Sequence, residues 1–449
     1  MVKPMVVLSL CGVSLCVCLV PAVAADEDAT PSVATVAAGA SELSPIKTVE
    51  IGRNGEMRVD GRPFIPLKVW LQDPQHFPKL HAAGVNTCAG YWWSDEKKRG
   101  SGDTGGMDEY AEMVRRAGFY YIAPFMDEQP EATRKVAAMD HLLAWIHNDE
   151  PDLPRKVTGA DGKRRSVPRD TLEETAARYK AIKAVDTRHP VIMGLTANFM
   201  KCETTHYDEA TKARIYPEYV KYCDATGFDT YPIYGSNHPN WLHKVADGVT
   251  ELRAIAGPKR LVGCTVETCK GSQWITYEKQ LEVEPKHTRC EVWMALIRGA
   301  TAISYFTHAW RPSYSQFACT PEMVAELGRL NAQITRLTPA LTADAAKAEI
   351  GMALSAEDGA KLDCHFKATQ LDGAVYLFAQ NIDLGPGADK LAQGEPISPR
   401  SGKAVFTVTG LKAGATIEVL DEDRTITAQG GTFTDAFAPL AEHVYRLKL

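Results

Sequence analysis

From residue 47 to residue 340 the chain alternates short apolar runs with longer amphipathic ones. Eight runs have strand character: residues 64–71 (FIPLKVWL), 85–93 (VNTCAGYWW), 120–126 (YYIAPFM), 142–150 (LLAWIHNDE), 190–197 (PVIMGLTA), 225–233 (ATGFDTYPI), 260–267 (RLVGCTVE) and 301–308 (TAISYFTH). Helical patterns separate most of them. Residues 107–117 end at Gly118, a natural helix stop. Thr171 and Glu174 have capping-box spacing. Leu242, Val245, Val249 and Leu252 recur at helical intervals, and residues 286–298 are apolar nearly all round, as a helix packed on a sheet should be. Thr320-Pro321 opens the last helix with proline at its first position. Eight strand–helix units predict an α/β fold, a (β/α)8 TIM barrel over 47–340. A doubly wound open sheet is the alternative, but its G-x-G-x-x-G and Walker signatures are missing.

The texture changes on both sides of this region. A hairpin with an Asn54-Gly55 turn precedes the first strand. After Leu341, short runs such as AVYLFAQN, KAVFTVTG and HVYRLKL are separated by Gly, Asp and Pro, which predicts a small all-β sandwich domain over 341–449. At the other end Lys3, an apolar run over 5–20 and Ala22-Val23-Ala24 have the form of a signal peptide over 1–24. That run is shorter than the roughly 20 residues a spanning helix needs. Residues 25–46 are rich in Ala, Ser, Thr and Pro and are expected to be a linker. The expectation is a secreted or periplasmic protein with no membrane attachment once the signal is removed.

Charge narrows the partners. The chain of 449 residues carries 50 Lys+Arg against 56 Asp+Glu, a net −6, which is not the basic footprint of a nucleic-acid binder. Cys11, Cys16 and Cys18 fall in the signal. The other eight of the eleven cysteines form no C-x-x-C, so zinc-knuckle and iron–sulfur spacings are absent. Cys264 and Cys269 on one extended strand would lie about 16 Å apart, beyond bridging reach. The twelve histidines include no H-x-H or H-E-x-x-H, so neither a metal site nor a cofactor is expected. Nothing in the sequence sets an oligomeric state.

Barrel enzymes keep their chemistry where strands end. Two glutamates fall there. Glu150 closes the fourth strand, and Pro151 disfavours helical geometry at Glu150, which predicts an extended backbone. Glu267 closes the seventh strand. Alternation puts Gly263, Thr265 and Glu267 on one face and Val262, Cys264 and Val266 on the other, which suits a small-residue interior rising to a carboxylate. Each glutamate could instead belong to an ordinary surface loop. Carboxyls on opposite sides of one cleft are what glycosidic cleavage uses, one protonated to donate and one ionised. Aromatic side chains gather at the same strand ends. Trp92, Tyr231 and Trp310 are the candidate platforms for the apolar faces of sugar rings. Tyr231, in DTYP, is also near enough in principle to reach a nucleophile on the next strand.

Together the runs VDGRPFIPLKVW, HAAGVNTCAGYW, NDEP, DTYPIYG, the Glu267 strand, RGATAISYFTHAW and the β-rich tail resemble a clan-A-type retaining glycoside hydrolase over residues 48–449. The resemblance implies an acid/base at Glu150, a nucleophile at Glu267, an aromatic contact at Tyr231 and a tryptophan contact at Trp310. It places Asn148 at the sugar 2-hydroxyl, although the clan has Asn directly before the acid/base and this chain has Asp149 there. The implied partner is an oligo- or polysaccharide. Two other classes compete. A non-catalytic carbohydrate-binding barrel shares the aromatics without needing both glutamates, and a metal-dependent hydrolase needs clustered ligands. The basic runs Lys97-Lys98-Arg99 and Lys163-Arg164-Arg165 read as solvated loops, or as contacts to an anionic glycan.

Overall fold

The computed structural model describes residues 43–91, 106–159 and 161–449. Trp92, the Lys97–Arg99 run, the expected signal and nearly all of the expected linker lie outside them. The described residues belong to one compact unit, Ala40–Leu449.

Eight parallel strands close into a barrel: β1 Leu67–Trp70, β2 Thr87–Ala89, β3 Tyr120–Pro124, β4 Leu142–Asp149, β5 Val191–Leu195, β6 Ala225–Asp229, β7 Leu261–Glu267 and β8 Ala302–Phe306. The ring closes where Val191 of β5 pairs with Trp145 of β4. Each expected apolar run contains one strand, usually trimmed at its C-terminal end. That end is where the chain must leave the ladder to form a loop. An antiparallel ribbon over Val49–Phe64 precedes β1, with Gly55 at φ 75° in its turn.

Among the described residues eight α-helices surround the strands: α1 Phe77–Ala82, α2 Met107–Arg116, α3 Pro130–Ala137, α4 Leu172–Val185, α5 Glu209–Tyr219, α6 His243–Ala256, α7 Pro285–Ile297 and α8 Pro321–Leu341. The capping box at α4 is formed, with the Thr171 hydroxyl accepting the Glu174 amide and Glu174 accepting the Thr171 amide. Two orphan helix donors are thereby satisfied. Gly118 takes φ 80° after α2, a conformation that costs glycine nothing. α7 buries Val292, Trp293, Met294, Ala295 and Leu296 together, because β7, α6, α8 and the β-rich tail cover it from several sides.

Beyond Leu341 two antiparallel sheets, of six and four strands, face each other. Leu354, Leu377, Phe406, Phe433 and Tyr445 fill the space between them. Alternation along Ala374–Asn381 sends Leu377 into this sandwich core and Phe378 toward the barrel, where its ring meets Trp293 of α7 at 6.2 Å. Arg289 of α7 bonds Glu326 of α8 and Glu442 of the six-stranded sheet. Gln380 donates to the Cys290 carbonyl at 3.0 Å. The tail is thus packed and hydrogen-bonded onto the barrel. All eight described cysteines are free, and Cys88, Cys223, Cys264, Cys269 and Cys290 are buried among apolar side chains.

Candidate active site

A barrel interior is normally filled by side chains. Here the inward positions of β5 to β8 include Gly194, Gly227, Gly263, Ala302 and Ser304, and a cavity of about 210 Å³ remains. It runs from Leu261 and Ala302, at the starts of β7 and β8, to Glu150 and Tyr231, past the ends of β4 and β6. Its polar lining includes Lys68, Asp149, Glu150, Thr226, Asp229, Tyr231, Thr265 and Ser304, with Trp70 and Phe306 beside them. A second recess shares Trp70 and Asp149 and adds Tyr91, Asn148, Arg169 and Asp170.

Glu150 stands at this mouth as expected, but its backbone does not take the expected extended form. Its φ is 43°, in the left-handed region. Pro151 excludes only the right-handed helical well. The turn decides the rest, since the Glu150 amide donates to the Gly194 carbonyl of β5 and its own carbonyl accepts the Leu153 amide. Such a conformation costs on the order of 1–3 kcal/mol and persists where surrounding contacts over-determine it. Asp152 provides those contacts. Its buried carboxylate accepts the Thr196 amide, the Thr196 hydroxyl and the Tyr216 hydroxyl, and its carbonyl accepts the Tyr207 hydroxyl at 2.6 Å.

The structure brings Glu150 together with Asp149 and Asp229, not with Glu267. Glu267 is fully buried and is not part of the cavity wall. Its carboxylate accepts the amides of Ile233 and Tyr234, and its carbonyl accepts the Thr288 hydroxyl of α7. Tyr231 and Phe306, whose rings meet at 4.8 Å, line the cavity at the height where alternation puts Glu267. Glu267 departs from the alternation because it ends the strand, where helix and loop contacts replace the ladder as the orienting force. Glu291 of α7 lies against it. Burial and the neighbouring Glu267 raise the Glu291 carboxyl well above its usual range.

Asp229 is a site residue that the sequence reading missed. The signal was present, because alternation along β6 puts Ala225, Gly227 and Asp229 on one face by the same rule applied to β7. The same rule applied to residues 66–70 turns Pro66, Lys68 and Trp70 inward, so the interior lysine was legible too. Tyr231 is at the cavity, but its hydroxyl hydrogen-bonds Asp229 and not a residue of the next strand. Asn148 faces the adjoining recess and donates to Asp170 at 2.7 Å. Trp310 is 41% exposed on the loop after β8, packed 4.9 Å from Tyr314, and does not line the cavity. In the hairpin after β4, Arg165 pairs with Asp161.

The electrostatics set these carboxyls apart. Burial, then the charges of Asp229 and Asp149, push the Glu150 carboxyl up to about 8. Burial and Asp149 raise Asp229 to about 7, against the hydrogen bond from Tyr231, which favours its anion. Burial also raises Asp149, while Arg169 and Lys68 hold it down. Glu267 reaches about 7 through burial, against its two amide hydrogen bonds. Two raised carboxyls that act on each other across one cavity mouth titrate as a pair, and a pair holding one proton between them can act as acid and base in one step. Among the described residues no group of three or more His, Cys, Asp or Glu is arranged to hold a metal ion. His147 and His308 instead bond backbone carbonyls of Thr175 and Trp70.

Solved structures similar to this chain include a glycoside hydrolase family 5 protein from Bacteroides vulgatus ATCC 8482, at 12% identity and TM-score 0.48, over 90% of this chain and 93% of that one. A GH30 endoxylanase from Clostridium papyrosolvens C71 gives 13% and 0.43 over 90% and 100%. AmyP in complex with maltose gives 9% and 0.46 over 85% and 96%. No family model matches the chain, and no curated protein matches it.

Proposed function

We propose that the chain is an exported glycoside hydrolase cleaving O-glycosidic bonds of an extracellular oligo- or polysaccharide, with Glu150 as the proton donor. The observation that carries this reading is the raised, strained Glu150 beside a second raised carboxyl, Asp229, at the mouth of an open barrel interior. In the proposed mechanism Glu150 holds its proton at neutral pH and donates it to the leaving oxygen. Asp229, whose anion the Tyr231 hydroxyl stabilises, supplies the charge that meets the anomeric carbon or activates water there. The Trp70 and Phe306 side chains beside the carboxyls offer apolar surface to a sugar ring. A retaining course, implied by the sequence resemblance, requires the two carboxyl groups to stand roughly 5–5.5 Å apart.

The test uses Glu150→Gln, Asp229→Asn and Glu267→Gln proteins on a panel of 4-nitrophenyl glycosides and oligosaccharides. Loss of either cavity carboxyl should lower kcat by roughly 10²–10⁴ with the fold intact. Glu267→Gln should keep most of its turnover. The opposite ranking, with Asp229→Asn active and Glu267→Gln dead, would restore Glu267 as the nucleophile. Full activity of Glu150→Gln would sink the assignment of the donor, and no turnover by the unmodified protein would favour a carbohydrate-binding barrel. Product anomers followed by proton NMR decide retention.

A further inference from the structure

Lys68, Ser304, Thr265 and Asp229 form one row around the barrel wall. Ser304 of β8 is in register with Lys68 of β1, Thr265 of β7 with Ser304, and Asp229 of β6 with Thr265. Residues in register on parallel strands point the same way and stand about 4.8 Å from one strand to the next. All four line the cavity. Tyr231 engages Asp229, but the Lys68 ammonium and the Ser304 and Thr265 hydroxyls make no hydrogen bond to another described side chain or backbone group. The charge that Lys68 feels is Asp149, on the far side of the barrel in β4.

A lysine inside a barrel is costly unless something opposes its charge. The same cavity wall carries the apolar Pro66, Ile122, Ile192 and Leu261. A half-buried ammonium with a Ser304 hydroxyl beside it and a Thr265 hydroxyl one strand further on, with no protein acceptor on them, matches an incoming anion. One positive charge and two neutral donors suit a singly charged, planar carboxylate better than a doubly charged phosphate. Lys68 and Arg169 stand among Asp149, Asp152, Glu150 and Asp229, of which Glu150 holds a proton up to about 8.

We propose that Lys68, Ser304 and Thr265 form a carboxylate-binding row, and that the sugar entering the cavity is a uronic acid unit whose carboxylate they hold. This rests on the glycosidase reading for the fate of the ligand, but not for its binding.

Two measurements separate the two ideas. The first compares kcat/KM on 4-nitrophenyl glucuronides and galacturonides of both anomers with the matching glucosides and galactosides. The unmodified protein should prefer a uronide at least tenfold, and Lys68→Met should lower that uronide-to-neutral ratio roughly ten- to hundredfold, the worth of a hydrogen bond to a charged group. Lys68→Arg should recover part of it. Preference for neutral sugars, preference for 6-sulfated glycosides, or an unchanged ratio in Lys68→Met would each overturn the proposal. The second titrates methyl glucuronides and galacturonides into the Glu150→Gln protein by calorimetry. Binding that vanishes with an added Lys68→Met supports the row even if no glycoside is ever turned over. Absence of uronide binding beside good turnover of neutral glycosides would remove the row and leave the hydrolase reading standing.

Discussion

Glu267 accepts the Tyr234 amide through Oε2 at 2.6 Å, entirely out of solvent. Its other oxygen takes the Ile233 amide at 2.8 Å. A strand-end carboxylate thereby clamps the turn that follows Asp229 and Tyr231. Glu267→Ala would leave both buried amides unpaired, each at about 1–3 kcal/mol. We expect a loss of about 2–4 kcal/mol in chemical denaturation, with Glu267→Gln, which keeps one acceptor oxygen, losing less than half of that. Equal stability of the Ala variant and the unmodified protein would show that the clamp carries no energy.

The pH profile follows from the pair at the mouth. Glu150 must be protonated and Asp229 ionised. The two titrate as a pair at about 7 and about 8, so kcat/KM should rise as the pair loses its first proton and fall as it loses its second. A narrow maximum between about 7 and 8 is expected. Asp149 raises both groups, so Asp149→Asn should move both limbs to lower pH. A profile that stays put in that variant, or an optimum near pH 4, would contradict the electrostatic picture.

The same raised carboxyl carries a stability signature. A glutamate at about 8 in the folded chain and near 4.5 when unfolded favours the fold fully only below about 4.5. That contribution is lost progressively as pH climbs toward 8. Glu150→Gln should therefore melt higher than the unmodified protein at about pH 8.5, by a few °C, and gain less at about pH 5. Thermal unfolding at the two pH values checks it, and a variant less stable at both would count against the burial argument.

Arg289 ties the β-rich tail to the barrel. Its guanidinium bonds Glu442 at 2.5 Å, Glu326 at 2.8 Å and Gln333 at 2.8 Å. Arg289→Ala strands Glu442, which is nearly buried, and should cost about 2–4 kcal/mol. Arg289→Lys should recover little, because an ammonium cannot match the guanidinium fork. Melting of the tail and barrel in one transition, displaced together, is the expected calorimetric outcome.

The barrel was legible in the sequence because each apolar run is bounded by a residue with a mechanical reason to stop it, such as Gly118, the Thr171–Glu174 box or Thr320-Pro321. Glu150 was legible for a related reason, since a proline directly after a strand end pins where the strand stops. What Pro151 could not settle was which non-helical backbone Glu150 adopts. That depended on the Gly194 carbonyl of a strand some forty residues later. Alternation correctly turned Gly263 and Thr265 inward, and applied evenly it would have found Asp229 and Lys68. It misplaced Glu267, whose orientation belongs to Thr288 and the 233–234 amides.

Sequence alone determined the strand–helix alternation, the antiparallel tail and the strand-end position of Glu150, because those follow from local periodicity and turn chemistry. Tertiary structure decided which carboxyls meet, that Lys68 shares a register row with Ser304 and Thr265, and that the barrel interior stays open. Those features depend on strand register and on packing and hydrogen bonds between residues tens to hundreds of positions apart, which no local pattern encodes.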